Sequence, residues 1–497
     1  NHLIAINAKT GKELWRYEHD RNRDWKLCCG PANRGVAIHG DQIFMGTVDA
    51  RLISLDAKTG KIIWDINVVE NNVLTENIDN LAIDDPNRDK TMSGGTGVGI
   101  NMAPIVYENK VIVGITGVGY GLHIDDDKNA PLGAVVGVAG RFGRPGFLAA
   151  YDIYSGKKIW QFNTIPDQGW EGEMSNYTKD GELLNRDLLY EKENLNNYPD
   201  AAQYGGGSAW TTPAIDSDTH TLFFGTGNPS PQMNGESRPG DNLYTVSLVA
   251  LDANTGKLKW YFQQVPHDLW GYDVASPPVL FHTVHDNKII PVVGQASKTG
   301  WFYIHHRDTG ELILKSEAFV PQQNMFAEAT EAGTIIYPGI LGGSNWSPVS
   351  INIDEHLAFI SGIHAPVKYT LMEHNDGNKT QRYVKSEPTD DEKWGLLSAI
   401  NLETGKIQWQ HHTEEPLIGG TLTTAGDLIF NGEGNGSFNA FNAKTGELLW
   451  TTKIDAGVNA PPITFMIDGK QYIAVLAGGN KIFGFKQGDY VNVYSID

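Results

Sequence analysis

One phrase recurs along this chain and restricts the fold more than any other feature: an alternating apolar strand, a tight turn closed by Gly, and a second strand ending on Trp. It runs from Ile6 through Asn7-Ala8-Lys9-Thr10-Gly11 to Trp15, and again from Leu55 through Asp56-Ala57-Lys58-Thr59-Gly60 to Trp64. Further copies span Tyr151 to Trp160, Leu251 to Trp260, Ile400 to Trp409 and Phe441 to Trp450; a weaker one, Arg307-Asp308-Thr309-Gly310, ends on Leu314. Each copy reads as a hairpin in which Asp or Asn opens the turn and Gly takes the positive φ that closes it. The Trp is a large apolar load, suited to lying flat between neighbouring sheets. Most copies follow another strand pair, such as Asp41-Gln42-Ile43-Phe44-Met45-Gly46-Thr47. Four strands per unit, radially packed, is the arrangement of a β-propeller.

The copies lie about 40 to 100 residues apart, so long inserted loops are expected near 68–100, 120–145, 165–205 and 363–393. These stretches are rich in Asn, Asp, Glu and Gly and read as surface excursions. The first copy lacks its upstream strands, and the last unit, Val458 to Phe485, lacks the Trp-closing phrase. The expectation is one propeller domain over 1–497, closed by both termini, with part of the N-terminal side of the ring missing. The 39 Lys and Arg against 59 Asp and Glu give a net charge of −20. Such a field repels nucleic acid and anionic membrane surfaces. It suits a basic partner or an uncharged small substrate, and leaves a homo-oligomer open. No apolar run approaches the roughly 20 residues that span a bilayer.

The non-repetitive segments are more specific. Cys28-Cys29, the two cysteines of the chain, precede Gly30-Pro31-Ala32-Asn33-Arg34-Gly35. Then come Ile115-Thr116-Gly117, Gly205-Gly206-Gly207-Ser208-Ala209-Trp210, Gly225-Thr226-Gly227-Asn228, Ser297-Lys298-Thr299-Gly300-Trp301 and Gly342-Gly343-Ser344-Asn345-Trp346. In this order, and with the blade repeats, the chain resembles the pyrroloquinoline-quinone (PQQ) dependent alcohol and sugar dehydrogenases, the quinoproteins: all-β, eight-bladed propellers with Trp-docked blades. The resemblance implies a Cys28–Cys29 disulfide over one face of the quinone and Trp210 stacked on the other. It implies Arg34 at a PQQ carboxylate, a Thr116 hydroxyl contact, Lys298 at the ortho-quinone oxygens, and further cofactor contacts from Asn345 and Trp346. Asn228 would bind the cation, Ca²⁺ or a lanthanide. Electrons would pass to a cytochrome c or a quinone. A disulfide points to an oxidising compartment, periplasmic or extracellular.

Two departures bear on catalysis. The Glu that the alcohol enzymes use as a cation ligand aligns with Gly119 or, after an insertion, with Val135, and neither binds a cation. In Pro266-His267-Asp268-Leu269-Trp270-Gly271-Tyr272-Asp273, Gly271 takes the place of the catalytic Asp. Asp273 sits two residues on, where the lanthanide-using enzymes carry an extra metal-binding Asp. Were this segment a strand, both positions would face the same side, so Asp273 is the expected base and cation ligand, with Lys298 assisting the quinone. Asp125-Asp126-Asp127, Glu171 and Glu173 are the other carboxylates considered. The leading reading is PQQ-dependent oxidation of an alcohol or sugar hydroxyl; the alternative is a catalytically impaired PQQ-binding or structural propeller.

Overall fold

The computed structural model describes residues 2–20, 32–69, 98–117, 144–375 and 380–495. Among these, eight antiparallel sheets follow the repeat in chain order. The first pairs His2–Ile6 with Glu13–Glu18. Six four-stranded sheets then cover 37–67, 105–163, 214–263, 279–315, 350–413 and 421–453, and a three-stranded sheet of Ile463–Ile467, Lys470–Ala477 and Tyr490–Ser495 ends the series. Each four-stranded sheet is a meander, its strands paired in the order in which the chain makes them. This is the β-propeller plan.

The repeated phrase holds one sheet to the next. Trp15 donates its indole N–H to Ala57 O at 3.0 Å, Trp64 to Ile153 O at 2.9 Å, Trp160 to Ala253 O at 3.1 Å and Trp409 to Ala443 O at 2.9 Å. In each case the acceptor lies in the turn of the following copy, and the indole packs on that turn's Gly. A Cβ on Gly256, at φ +70°, would fall 2.6 Å from the Trp160 ring, and one on Gly446 would fall 2.6 Å from Trp409. Leu314 of the weaker copy takes the same place over Gly405. Gly is thus needed twice over, for a left-handed turn and for the close approach of a flat ring. The opening Asp of each turn accepts backbone N–H groups, as Asp252 does from Asn254 and Thr255 at 3.0 and 2.8 Å.

The chain forms two compact units: 1–273 with 328–333 and 370–386, and 274–327 with 334–369 and 387–497. The first buries a core around Phe44, Leu52, Leu148, Phe224, Val249 and Leu251. The second buries one around Phe281, Val292, Phe302, Ile304 and Ile360. Of the expected loops, 165–205 carries a short helix, Leu188–Asn194. The stretch 363–393 is largely strand, in Val367–Asn375 and Thr380–Pro388. Its composition had suggested a loop, but Val367 to Tyr369 pair antiparallel with Thr334–Ile336, which holds the backbone extended.

In an antiparallel meander the second and fourth strands run the same way. The link from strand two to three and the link from strand four to the next sheet therefore leave from the same end. Among the described residues, those that the resemblance assigns to the site lie on such links. Thr116, Asn228 and Lys298 follow second strands, while Arg34, Trp210, Asp273, Asn345 and Trp346 follow final strands. The opposite end carries the short Gly turns that receive the Trp rings.

Candidate active site

In the first unit, backbone hydrogen bonds lace the marked segments together. Ala209 N–H donates to Ile115 O at 3.0 Å, Gly227 N–H to Ser208 O at 2.8 Å and Gly207 N–H to Asn228 O at 3.0 Å; Thr116 N–H donates to Gly99 O at 2.9 Å. The glycine run makes this possible. Gly206 sits at φ +84°, and a Cβ there would lie 2.7 Å from Asn228 O and 2.8 Å from Ser230 N. The next links place Trp210, half-buried, under the Arg34 guanidinium, whose carbon stands 4.7 Å from the ring centroid. Arg34 also donates to Asn101 O at 3.3 Å and Trp210 O at 3.4 Å. Arg34, Thr116 and Trp210 are thereby brought together, as the sequence reading required.

Asn228 and Asp273 meet directly: the Asn228 backbone N–H donates to Asp273 Oδ1 at 2.5 Å. Both residues are buried. The Asn228 side-chain amide donates to Pro229 O at 2.8 Å, which fixes the orientation of its amide oxygen. The route by which Asp273 arrives differs from the expectation. No strand lies between Gln263 and Val279, so the alternation argument fails. The segment is a loop folded over Asp268, whose carboxylate accepts from the N–H groups of Trp270, Gly271 and Tyr272 at 3.0–3.2 Å. Gly271, at φ +79°, provides the left-handed step that lets three successive N–H groups converge. The loss of the usual Asp at 271 therefore goes with a tight turn that delivers Asp273.

Asp268 went unmarked in the sequence, although its spacing before Trp-Gly is that of an Asx turn. Burial pushes its carboxyl up to about 6, aided by the Asp273 carboxylate and opposed by the N–H groups of Trp270 and Tyr272 and by Arg238. A carboxyl raised above its unfolded value near 4 favours the fold while protonated. Its contribution is complete below pH ~4 and is lost as pH rises through ~6. In cation-free protein, urea denaturation should show wild-type stability falling between pH 4 and pH 6.5 relative to Asp268→Asn. Parallel pH profiles for the two proteins would refute this.

The second unit brings its own marked residues together. Lys298 is 5% exposed, in the turn between Lys288–Ala296 and Phe302–His306. Its carbonyl accepts Gly343 N–H at 2.7 Å, and Ser297 O accepts Ser344 N–H at 3.2 Å. Gly342, at φ +78°, presses on Lys298 so closely that a Cβ would fall 2.3 Å from its Cγ. Asn345 is buried and donates to Leu341 O at 2.8 Å. Trp346 packs on Ile363, Ala365, Ile418 and Phe485.

Among the described residues, several buried polar atoms of these segments lack a hydrogen-bond partner. In the first unit they include Asn101 Oδ1 and Thr211 Oγ, next to Arg34 and Trp210 respectively; in the second they are Ser344 Oγ, Asn345 Oδ1 and Ser347 Oγ. Buried polar groups are normally bonded, so the orphans of each unit, taken by themselves, fit a polar ligand. A flat quinone with three carboxylates and several carbonyls meets that description. Asn228 and Asp273 offer the hard oxygens that Ca²⁺ or a lanthanide takes. Among the described residues no group of three or more His, Cys, Asp or Glu could hold a metal by itself. Cys28, Cys29, Gly119, Val135 and Asp125 to Asp127 lie outside the described residues. Glu171 and Glu173 are exposed.

The model of the PQQ family described as "Glucose/ethanol/alcohol dehydrogenase, beta-propeller domain" matches residues 1–330 and 314–473. The chain belongs to this PQQ dehydrogenase family. It is 30% identical to the quinoprotein alcohol dehydrogenase PedH of Pseudomonas putida, over 96% of this chain and 75% of that one. Its identity to the quinohemoprotein alcohol dehydrogenase of Comamonas testosteroni is 31%, covering 97% and 64%. The crystal structure of the Comamonas enzyme superimposes with a TM-score of 0.77 at 28% identity, covering 99% of this chain and 71% of that one. A europium-containing methanol dehydrogenase superimposes with a TM-score of 0.74 at 25% identity, covering 96% and 79%. Within the PQQ dehydrogenase family, then, the eight sheets and the marked links have their natural place.

Proposed function

We propose that this chain oxidises an alcohol hydroxyl with PQQ as cofactor and Ca²⁺ or a lanthanide as cation. The observation that carries the reading is the Asn228–Asp273 contact: a carboxylate stands beside the Asn ligand although Gly271 occupies the place of the usual acid. Bound PQQ supplies the acceptor of the two electrons, and a bound cation supplies the Lewis acidity that makes the hydroxyl proton easier to remove. Asp273 takes that proton. Arg34 and the orphan hydroxyls hold the cofactor carboxylates by charge-assisted bonds. Trp210 would stack on the cofactor, Lys298 would contact its ortho-quinone oxygens, and Asn345 and Trp346 would add further contacts. A cytochrome or a quinone would be the electron acceptor, and the periplasm or the extracellular space the compartment.

The test is direct. Protein purified with PQQ and either CaCl₂ or LaCl₃ should show PQQ absorbance and reduce an electron-accepting dye when given alcohols. No turnover across a panel of alcohols and sugars, with PQQ bound, would favour the catalytically impaired reading. Trp210→Ala should lose PQQ on gel filtration that the wild type retains, a drop in affinity of about fivefold to 150-fold, since one stacked aromatic contributes about 1–3 kcal/mol. Unchanged retention would remove Trp210 from the site. Cys28 and Cys29 are proposed to be bonded to each other, the cap on the other face. Mass analysis of unreduced protein should show no alkylatable thiol, and two labelled cysteines would refute the pairing.

A further inference from the structure

We infer that Arg238 is a positioning residue of the cation site, the group that fixes the Asn228 link relative to the Asp273 link. The inference rests on the function proposed above and concerns how its site is built. Asn228 and Asp273 stand on two separate loops, 226–246 and 264–278, in which few residues have regular structure to hold them. Arg238 belongs to the first of these loops, reaches the second with its side chain and is 0% exposed. Its Nε donates to Pro231 O at 2.9 Å, three residues beyond Asn228. One terminal nitrogen donates to Asn242 Oδ1 at 2.6 Å, and the other to Asp268 O at 2.6 Å, five residues before Asp273. The Asn242 amide returns a bond to Arg238 O at 2.9 Å, which closes the fork.

Three acceptors in three directions demand a planar guanidinium; an ammonium cannot span them. Among the described residues the side chain makes no hydrogen bond to a carboxylate, an expensive way to bury a cation. The nearby acids, Asp268 and Glu191, act on it only through space. Burial lowers its pKa to about 10, so it stays charged at neutral pH. What the arrangement achieves is geometric. It ties the backbone on one side of Asn228 to the turn that presents Asp273, and groups that orient metal ligands from behind act in this way.

Arg186, in the same unit, is the contrast. It pairs with Glu191 at 2.8 and 2.7 Å and with Asp241 at 2.5 Å, anchoring the 165–205 excursion to the far part of the Asn228 loop, and among the described residues it bonds neither Asn228 nor the Asp273 turn. Wild type, Arg238→Lys, Arg238→Met and Arg186→Met, as full chains loaded with PQQ, are titrated calorimetrically with CaCl₂ and with LaCl₃, and their circular dichroism and thermal midpoints are recorded. Arg238→Met should fold with cation affinity reduced at least about tenfold, and Arg238→Lys should recover only part of it. Arg186→Met should lower the thermal midpoint while its cation affinity stays within about threefold of wild type. Folded Arg238 variants that bind both cations as the wild type does would overturn the inference. So would failure of both Arg238 variants to fold, because the arginine would then be general scaffold. A wild type that binds neither cation would instead remove the function on which the inference rests.

Discussion

Replacing Asp273 with Ala lowers alcohol turnover by about a hundredfold to ten-thousandfold, the range that general-base assistance typically contributes. The reason is local. With Gly271 unable to accept a proton, the carboxylate bonded by Asn228 N–H is the acid that the loop delivers to the Asn228 ligand. Asp273→Ala also deletes one of two hard oxygens, so cation affinity falls alongside kcat. Asp273→Asn separates the two effects: its amide oxygen still binds a cation, but it cannot take a proton. The Asn variant should therefore retain more cation than the Ala variant while remaining equally slow. Turnover in Asp273→Ala within threefold of wild type, with PQQ and cation bound, would place the base elsewhere, and the Asp125 to Asp127 segment would be examined next.

Trp160→Ala should destabilise the first unit by about 3–5 kcal/mol, the usual cost of deleting a large buried aromatic. The residue is 8% exposed, its indole N–H is bonded to Ala253 O, and its ring fills the space over Gly256. Truncation therefore opens a void and strands a carbonyl at the seam between two sheets. Gly256→Ala attacks the same seam from the other side, forcing a Cβ into the ring at a left-handed φ. Trp450 is the built-in control: it is 40% exposed, so Trp450→Ala should cost clearly less. Urea denaturation of the three variants measures this, and equal costs at 160 and 450 would refute the account of docking.

The fold was readable because its signal is repeated. Asp or Asn, Gly and Trp at fixed spacing are demanded by an Asx turn, a positive φ and a ring lying on that turn, and each demand is local. The grouping of Arg34, Thr116 and Trp210, and of Lys298 with Asn345, was readable through resemblance, since their partners lie far away in sequence. What sequence did not disclose depends on irregular backbone. Period-two reasoning put Asp273 on a strand face, whereas Asp268 and Gly271 wind the segment into a turn that no alternation pattern encodes. Arg238 escaped notice for a related reason: an arginine among Asn, Gly, Ser and Pro reads as surface, and only three converging acceptors show it to be interior. The charged stretch near 363–393 hid its strands because its surroundings, not its composition, extend them.

The two ends of each sheet answer to different constraints. At the Gly-turn end, a change in loop length would pull a Trp off its seat, so that end is standardised like the thread of a screw. At the other end the links run from the four residues between Gly46 and Arg51 to the long excursion that carries Leu188–Asn194, with no change in the four-stranded meander. Variation in length and chemistry can thus accumulate on the chemical side alone. A new substrate preference can be reached by exchanging whole links, sheet by sheet, while the joints between sheets stay as they are.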